Sequence, residues 1–465
     1  MKRFRSLLKS STAFIALLNL LFVSTVPAQK NKPATRQPNI ILILADDLGY
    51  GDIGAFGQKF IRTPNLDKLA KDGIKFTNFY AGAPVCAPSR ASLMTGKHQG
   101  HAIIRGNNND QGERVPLRPA DTTIAEVLKA AGYRTGIVGK WGLGEPETSG
   151  IPNRKGFDYF FGYLNQNHAH NYFPDYLWRN TEKVNLPKGA YSADLFAAEA
   201  LDFVKREREN PFFLYLAVTL PHADNELNRK TGNGMEIPSD APYSGENWTP
   251  QQKNYAAMVT RLDDEVGKLR DLLKQLKIDD NTIVIFTSDN GPQDKSEGGY
   301  DQTLFQSSGN LRGLKRELYE GGIREPLIIF WKNKIKPNQR SEKVWSQIDF
   351  LPTFAELAGT KFAGETDGIS MARALYGKNA PAHEYLYWEF HEGGFAQAVR
   401  ARNWKGVRKG LNGKIELYDL QKDVKETTDL SAKYPKIVAQ IAEIMKREHV
   451  ESENWSDKGS VNEKP

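Results

Sequence analysis

The chain has 465 residues, of which 39% are hydrophobic and 26% charged, and a formal net charge of +7. This is the composition of an ordinary globular protein, without a repeat or low-complexity tract, and the modest charge argues against nucleic acid as a partner. A chain of this length exceeds what one core usually holds, so we expect one large domain with a smaller one beside it. The single cysteine, Cys86, excludes an intrachain disulfide.

The N-terminal segment has the pattern of a secretory signal peptide. Four basic residues precede an apolar run that is too short to span a bilayer comfortably, and the segment ends at Val26-Pro-Ala28. No cysteine that could take a lipid follows it. We therefore predict a signal peptide over residues 1–28, cleavage near Ala28, and an exported protein, periplasmic or secreted, without a membrane anchor.

Five apolar runs without polar alternation predict strands that are covered on both faces. They lie at 39–44, 133–138, 212–218, 282–287 and 326–331. Helical patterns occur between and after them, at 122–131, 251–276 and 349–358. The alternation predicts an α/β fold, with a mainly parallel sheet sandwiched by helices and ligands at the carboxyl ends of the strands.

The pattern changes after about Tyr376. Short aromatic strands at 385–390, 396–400 and 415–418 precede an amphipathic helix from about Tyr434 to Val450. They predict a smaller α+β subdomain with an antiparallel sheet. The predicted boundaries are 36–376 for the large domain and 377–465 for the C-terminal subdomain, and the polar tail from Glu451 is predicted to fray.

Two of the buried strands end in paired oxygen-bearing side chains. Asp46 and Asp47 follow the first strand, and Asp289 and Asn290 follow the fourth. One such pair is usually a turn or a helix cap, but two pairs at equivalent ends of one parallel sheet could converge in space. Three carboxylates held together need a cation, and all-oxygen ligands favour calcium or magnesium over zinc.

The lone cysteine lies in Cys86-Ala-Pro-Ser-Arg90, directly before a helical pattern over 91–95. Proline and serine here fit the first turn of a helix, where free backbone N–H groups attract an anion. A single cysteine is most often a small buried hydrophobic residue. The complete stretch, with Leu93-Met-Thr-Gly96, resembles the signature of the type I sulfatases of the alkaline phosphatase-like superfamily, in which this cysteine is converted to formylglycine.

The resemblance extends over nearly the whole mature chain. Asp46, Asp47, Asp289 and Asn290, with position 86, match the family's metal site. The other matching positions are Arg90, Lys140 in Gly139-Lys-Trp-Gly-Leu-Gly144, His222 after Pro221, and Lys315 five residues before Glu320. The family implies sulfate ester hydrolysis, one Ca²⁺ ion, and a formylglycine-generating or sulfatase-maturating enzyme as a partner during biogenesis.

The resemblance also implies roles for these residues. Hydrated formylglycine at position 86 would attack sulfur, His222 would give a proton to the departing alcohol, and the sulfated hemiacetal would then eliminate sulfate. Arg90 would hold the hydrate. Lys140 and Lys315 would hold the sulfate, so that they and the metal neutralise the charge that develops on its oxygens.

The chain departs from the family pattern at Gly142, where many sulfatases have a histidine that acts as a base toward the formylglycine hydroxyl. His168 and His170, in a polar loop, are candidate replacements, because histidine titrates near neutral pH. In an extended segment these alternate residues would point in opposite directions, so at most one of them need take part in the chemistry.

The predicted substrate is a sulfated carbohydrate. Trp178, Arg179, Trp388 and His391 lie in segments that could line a pocket mouth, where aromatic and polar side chains suit sugars. With His168 and His170 they complete the predicted substrate-binding set. Resemblance to bacterial polysaccharide-degrading sulfatases favours a galactose or N-acetylgalactosamine residue.

Other functions stay open at this point. They are a phosphodiester or phosphonate monoester hydrolase of the same superfamily, and a secreted carbohydrate-binding pseudoenzyme that lost activity with the missing histidine. A cysteine–histidine acyl hydrolase would leave the four oxygen ligands at the strand ends unexplained.

Overall fold

The computed structural model describes residues 36–457, so the predicted signal peptide lies outside the described residues. The strands of this part are β1 Asn39–Ala45, β2 Ile74–Tyr80, β3 Arg134–Lys140, β4 Tyr159–Tyr163, β5 Tyr176–Arg179, β6 Glu182–Asn185, β7 Phe212–Ala217, β8 Thr282–Ser288, β9 Arg324–Trp331, β10 Gln339–Ser346, β11 Leu386–Phe390, β12 Ala396–Ala401, β13 Trp404–Lys409 and β14 Ile415–Asp419. The α-helices are α1 Pro64–Asp72, α2 Cys86–Thr95, α3 Ile124–Ala130, α4 Ser192–Glu207, α5 Asn225–Thr231, α6 Pro250–Gln275, α7 Lys295–Gly298, α8 Glu320–Ile323, α9 Phe350–Leu357, α10 Ala372–Leu375 and α11 Pro435–Glu448.

The larger sheet has ten strands in the order β10-β2-β9-β8-β1-β7-β3-β4-β5-β6. Its centre, β8-β1-β7-β3-β4, is parallel throughout. β9 runs antiparallel to both of its neighbours, β8 and β2. The predicted α/β class with a mainly parallel sheet is therefore confirmed. The direction of β9 was not predicted, because a run that is buried on both faces reads the same in either direction.

The central strands are continuously apolar because each face of the sheet is covered. All seven residues of β1 are buried. Ile41 and Ile43 pack with residues of α1, α4 and α6 on one face, whereas Leu42 and Leu44 pack with residues of α2, α3 and α9 on the other. The longest helix, α6, begins at a capping box formed by Thr249 and Gln252, with Pro250 at its first position.

The second sheet, β11-β12-β13-β14, is antiparallel. Ile441 and Met445 of α11 pack on one of its faces, and Tyr80 and Ile348 of the large-sheet region pack against the other. The predicted antiparallel C-terminal sheet with its terminal helix is confirmed. Gln37 and the described residues after it belong to one compact unit.

The prediction of a frayed tail is wrong for residues 451–457. Trp455 is only 2% exposed, and its indole N–H donates to the carbonyl of Asn108 at 2.9 Å. Burial of a large aromatic side chain outweighs the polar character of its neighbours. Within the described range, none of the helices is long and apolar enough to cross a membrane.

Candidate active site

Two neighbouring strands bring four oxygen-bearing side chains together. Ala45 at the end of β1 is in register with Ser288 at the end of β8, so Asp46, Asp47, Asp289 and Asn290 leave the sheet at the same edge. All four are at most 1% exposed. Asp47 has a φ of 61°, which is uncommon for a residue other than glycine and turns the chain sharply after the strand. The Asn290 amide donates to Asp47 Oδ1 at 2.7 Å.

Cys86 is the first residue of α2 and faces this edge. Its Sγ lies 3.5 Å from Asp46 Oδ1 and 3.9 Å from Asp47 Oδ1, and the residue is 2% exposed. No side chain caps α2 at Val85, although Asn107 Oδ1 accepts from the N–H of Ala87 at 3.1 Å. The side chain at position 86 thus points from a helix start toward the carboxylates.

Arg90 lies one helical turn after Cys86 and is fully buried. Its Nε donates to Asp289 Oδ2 at 3.0 Å. Its Nη2 lies 2.8 Å from the same oxygen and 3.3 Å from Asp46 Oδ1. Nη1 donates to the carbonyl of Lys140 at 3.0 Å. Arg90 therefore fixes the direction of the first turn of α2 relative to the strand ends.

Two lysines reach the same carboxylates from different segments. Lys140, the last residue of β3, places Nζ 2.8 Å from Asp46 Oδ2. Lys315 places Nζ 2.8 Å from Asp47 Oδ2 and 3.0 Å from Glu297 Oε2. Burial disfavours its charged form, but the negative groups around it, Asp47 foremost, together outweigh burial and raise the pKa of Lys315. Lys315 is therefore charged in the folded chain.

His222 completes the cluster. Its Nδ1 lies 2.6 Å from the carbonyl of Ala223, and because a carbonyl only accepts, Nδ1 carries the hydrogen. Nε2 then accepts from Lys315 Nζ at 3.2 Å. Burial, followed by the charge of Lys315, lowers the pKa of His222 well below its usual value. The imidazole is therefore neutral, and the proton of this contact sits on Lys315.

The strand-end residues fit a hard cation. Asn290 Oδ1 is buried without a hydrogen-bond partner among the described residues, so one ligand oxygen is free. Burial and the negative charge of Asp46 raise the pKa of Asp289, and a bound cation would favour its ionised form. Asp46, Asp47, Cys86 and His222 also offer ligand atoms that lie within 4.8 Å of one another.

The Cys86 thiol is poorly suited to act as a nucleophile without modification. Burial raises its pKa far above the ordinary value, despite the charges of Lys140 and Lys315. The thiolate is the reactive form of cysteine. This arrangement disfavours a cysteine–histidine acyl hydrolase and is compatible with a modified side chain at position 86.

Gln166 fills the space beside Gly142, a contact that sequence reasoning missed. Gly142 has a φ of 75°, and a Cβ added there would lie 2.0 Å from Gln166 Nε2. Gln166 is 3% exposed, and its Nε2 has no hydrogen-bond partner in the described part of the chain. The signal in the sequence was the glycine itself, since the missing side chain leaves room for another.

The structure separates His168 from His170. The two residues form a short 3-10 helix rather than an extended segment. The ring of His170 stacks on that of His222, with centroids 4.7 Å apart, and its Nδ1 lies 2.9 Å from Glu226 Oε2. The ring of His168 instead packs against Tyr176, with centroids 4.4 Å apart. Of the two, His170 is next to the cluster.

The contacts of the other predicted substrate-binding residues are with groups outside the cluster. Trp178 lines a separate cavity beside His168. Arg179 pairs with Glu199 at 3.1 Å. Trp388 is buried and donates from its indole to the carbonyl of Ala81 at 2.8 Å. His391 is fully buried, with Nε2 3.1 Å from Glu389 Oε1.

Comparison with known proteins identifies the family. The sulfatase family model matches residues 38–360, and a model described as N-sulphoglucosamine sulphohydrolase, C-terminal, matches residues 314–452. The chain therefore belongs to the sulfatase family of the alkaline phosphatase-like superfamily, and its enzyme class is that of the sulfuric ester hydrolases.

Individual relatives agree with this assignment. N-acetylgalactosamine-6-sulfatase of Homo sapiens is 35% identical over 370 residues, which cover 74% of this chain and 66% of that protein. N-acetylgalactosamine-6-O-sulfatase of Bacteroides thetaiotaomicron is 29% identical, and the match covers 89% of this chain and 94% of that protein. The crystal structure of Ps i-CgsB in complex with k-i-k-neocarrahexaose superposes with a TM-score of 0.77 at 32% identity, over 89% of this chain and 92% of that one.

Proposed function

We propose that the chain hydrolyses sulfate esters of a sulfated carbohydrate, through a formylglycine derived from Cys86 and a bound Ca²⁺ ion. The observation that carries this proposal is the convergence of Cys86, the strand-end oxygens and the charged Arg90, Lys140 and Lys315 at one buried edge of the sheet. A formylglycine hydrate at position 86 would present its nucleophilic oxygen toward this cluster. The positive groups around it suit an anionic substrate.

The residues of the chain have distinct roles in this proposal. The formylglycine hydrate supplies the nucleophilic oxygen, and the Ca²⁺ ion, held by Asp46, Asp47, Asp289, Asn290 and position 86, supplies positive charge. Arg90 orients the side chain at position 86. Lys140 and Lys315 bind the sulfate oxygens and counter the charge that develops on them.

The departing alcohol oxygen needs a proton, and His222 with Lys315 provides it. His222 Nε2 and Lys315 Nζ share one hydrogen bond of 3.2 Å, with the proton on Lys315. A proton that moves through this contact reaches the leaving oxygen from His222 without a free water molecule. Overall, water and the ester give sulfate and the alcohol.

His170 is the better candidate for the role left vacant at Gly142. It stacks on His222 and is held by Glu226, so its ring is fixed beside the reacting groups. Burial lowers the pKa of His170, which favours a neutral imidazole that can accept a proton. We propose that it contacts either the hydroxyl at position 86 or the sugar next to it.

The favoured substrate is a galactose or N-acetylgalactosamine residue with a sulfate ester. Support comes from the two relatives, which are named for the 6-sulfate of N-acetylgalactosamine. We also propose that the chain is exported to the periplasm or secreted. Because the Cys86 thiol is 2% exposed after folding, its maturation enzyme would have to act before the chain folds.

Sulfate release tests the activity. The mature protein should release sulfate from a chromogenic aryl sulfate and from sulfated galactose or N-acetylgalactosamine, and peptide mass spectrometry should find formylglycine at position 86. Cys86→Ala should abolish turnover, whereas Lys332→Ala, at a distant exposed lysine, should not. Preference for a bis-phenyl phosphate over the aryl sulfate would favour the phosphonate monoester hydrolase alternative, and sugar binding without sulfate release would favour a pseudoenzyme.

Metal analysis tests the cofactor. We expect stoichiometric calcium and loss of activity on chelation, restored by added Ca²⁺, because four of the proposed ligands present oxygen. The thiol and imidazole near Asp46 would instead suit zinc if Cys86 stayed unmodified. Stoichiometric zinc, with activity unaffected by calcium chelation, would contradict the assignment.

A further inference from the structure

A cavity with a volume of about 460 Å³ lies against the loop that carries His168. Its lining includes Glu145, Asn165, His168, Tyr176, Trp178 and Lys183. The cavity is distinct from the catalytic cluster, because none of the strand-end carboxylates, the cysteine or the cluster lysines lines it.

Two segments connect this cavity to the active site. Glu145 lies five residues after Lys140, which is the last residue of β3. The Glu145 carboxylate accepts from the Asn165 amide at 2.8 Å. Asn165 and His168 belong to the same loop as His170, which stacks on His222. One loop, from Asn165 to His170, therefore contributes both to the cavity lining and to the surroundings of His222.

The lining combines aromatic faces with a cation. The rings of Tyr176 and Trp178 meet edge to face at 6.3 Å, and both residues are half-buried. Lys183 Nζ lies 4.4 Å from the centroid of Tyr176 and 5.5 Å from that of Trp178. Aromatic rings pack against the C–H face of a sugar, and an exposed ammonium group pairs with an anion.

The polar groups of the lining suit hydroxyls. Burial, and then the charge of Lys183, lowers the pKa of His168, so its neutral ring can both donate and accept. Glu145 is the only carboxylate of the lining. Its carboxylate accepts from Asn165 and lies near the cationic Arg114, whose Nε is 3.9 Å from Glu145 Oε1.

We propose that this cavity is a saccharide subsite, which binds a neighbouring unit that carries a sulfate ester or a carboxylate while the reacting sulfate lies at position 86. The sugar ring rests against Trp178, and Lys183 pairs with its anionic group. This inference rests on the proposed function, since it takes the substrate to be an anionic oligosaccharide.

Binding to the inactive Cys86→Ser protein tests the subsite without turnover. Calorimetry would use tetrasaccharides of 6-sulfated chondroitin, of desulfated chondroitin and of carrageenan. Trp178→Ala and Lys183→Ser in this background should each weaken binding of the anionic tetrasaccharides by about tenfold, the loss of one aromatic or charged contact. Matched controls are Trp404→Ala, at a half-buried tryptophan of β13, and Lys332→Ser, at an exposed lysine, and both should bind unchanged.

The three ligands distinguish the two anions. A Lys183→Ser effect on the carrageenan tetrasaccharide assigns a sulfate, and an effect on desulfated chondroitin assigns a carboxylate. An effect on neither, or no binding of any of the three by the Cys86→Ser protein, would overturn the subsite. Because Lys183 is exposed, its variant keeps the test decisive if Trp178→Ala does not fold.

Kinetics give a second readout in the active protein. For both subsite variants, KM for a sulfated tetrasaccharide should rise about tenfold more than KM for an aryl sulfate, because the aryl ester does not reach the cavity. Equal losses on both substrates would overturn the proposal. If no sulfate is released from any ester, the proposed function fails, and the binding measurements still decide the subsite.

Discussion

Lys315 has partners of two kinds, namely the carboxylates of Asp47 and Glu297 and the imidazole of His222. The two carboxylates keep the lysine charged, and the imidazole can accept its proton. In the proposed mechanism the same side chain would bind the sulfate and serve as the proton donor to His222. Sequence reasoning placed Lys315 in the site but missed Glu297, because nothing in the spacing of residues 297 and 315 indicates that they meet.

Removal of Lys315 should be costly for turnover. We expect Lys315→Ala to lower kcat/KM on an aryl sulfate by about a hundredfold or more, as for one preorganised charge partner of a transition state. Lys295→Ala, at a lysine of α7, provides a control in a nearby segment. A value within threefold of the unmodified enzyme for Lys315→Ala would contradict its role.

Gly142 and Gln166 should be coupled. Gly142→Ala is expected to destabilise the fold by about 1–3 kcal/mol, the usual cost of an overpacked site, since the new Cβ meets the Gln166 amide and the φ of 75° disfavours a side chain. Chemical denaturation of Gly142→Ala, Gln166→Ala and the double variant measures the coupling. Gly132→Ala isolates the backbone cost, because that glycine has a φ of 91° and open space around it. A loss in the double variant equal to the sum of the two single losses would show that the two positions do not interact.

At the scale of elements, the long helix α6 carries a buried acid that the proposed chemistry does not use. Glu265 is 5% exposed, and neither of its carboxylate oxygens has a hydrogen-bond partner in the described chain. Burial raises the pKa of Glu265 to about 8, against a small opposing effect of Arg261. The helix therefore keeps a neutral carboxylic acid in its packed face at neutral pH.

Replacement of Glu265 should stabilise the protein only at higher pH. The folded state holds this proton up to about pH 8, whereas the unfolded chain releases it near the ordinary value for glutamate. Glu265 therefore does not lower the free energy of unfolding below about pH 4.5, and it lowers it increasingly as pH rises toward 8. Glu265→Gln should therefore raise Tm relative to the unmodified protein at pH 8, with a much smaller difference at pH 5. Asp271→Asn, at an exposed acid of the same helix, should show no such trend. An equal shift at both pH values would mean that packing, not ionisation, sets the effect.

The central elements could be predicted from sequence because they are covered on both faces. β1, β7 and β8 lie within a residue or two of their predicted bounds. By contrast, β2 was missed, since Lys75, Thr77 and Asn78 interrupt its apolar pattern, and β10 is largely exposed. The convergence of the strand-end acids could be predicted from their positions at the ends of two strands. The loop contacts of Gln166 and His170 were not, because they depend on the path of an irregular segment.

At the scale of the whole molecule, the second sheet contacts and stabilises the segment that carries Lys315. Lys405 of β13 is fully buried and lies 3.0 Å from a carboxylate oxygen of Glu320 and 3.0 Å from one of Glu426. Glu426 Oε2 also accepts from the backbone N–H of Glu320 at 2.7 Å. Although burial favours the neutral acid, Lys405 and Arg324 hold the pKa of Glu320 at about 2. The carboxylate is therefore charged and depends on its cations.

Loss of Lys405 should weaken the fold and the site together. We expect Lys405→Ala to cost about 3–5 kcal/mol of unfolding free energy, because it leaves Glu320 charged, buried and short of a partner. Since Glu320 begins α8, five residues after Lys315, the aryl sulfatase activity of the protein that remains folded should also fall. Lys422→Ala, at an exposed lysine of the same subdomain, serves as the control in thermal unfolding and activity assays. An Lys405→Ala protein with unchanged Tm and activity would mean that the second sheet does not support the catalytic edge, whatever its contacts.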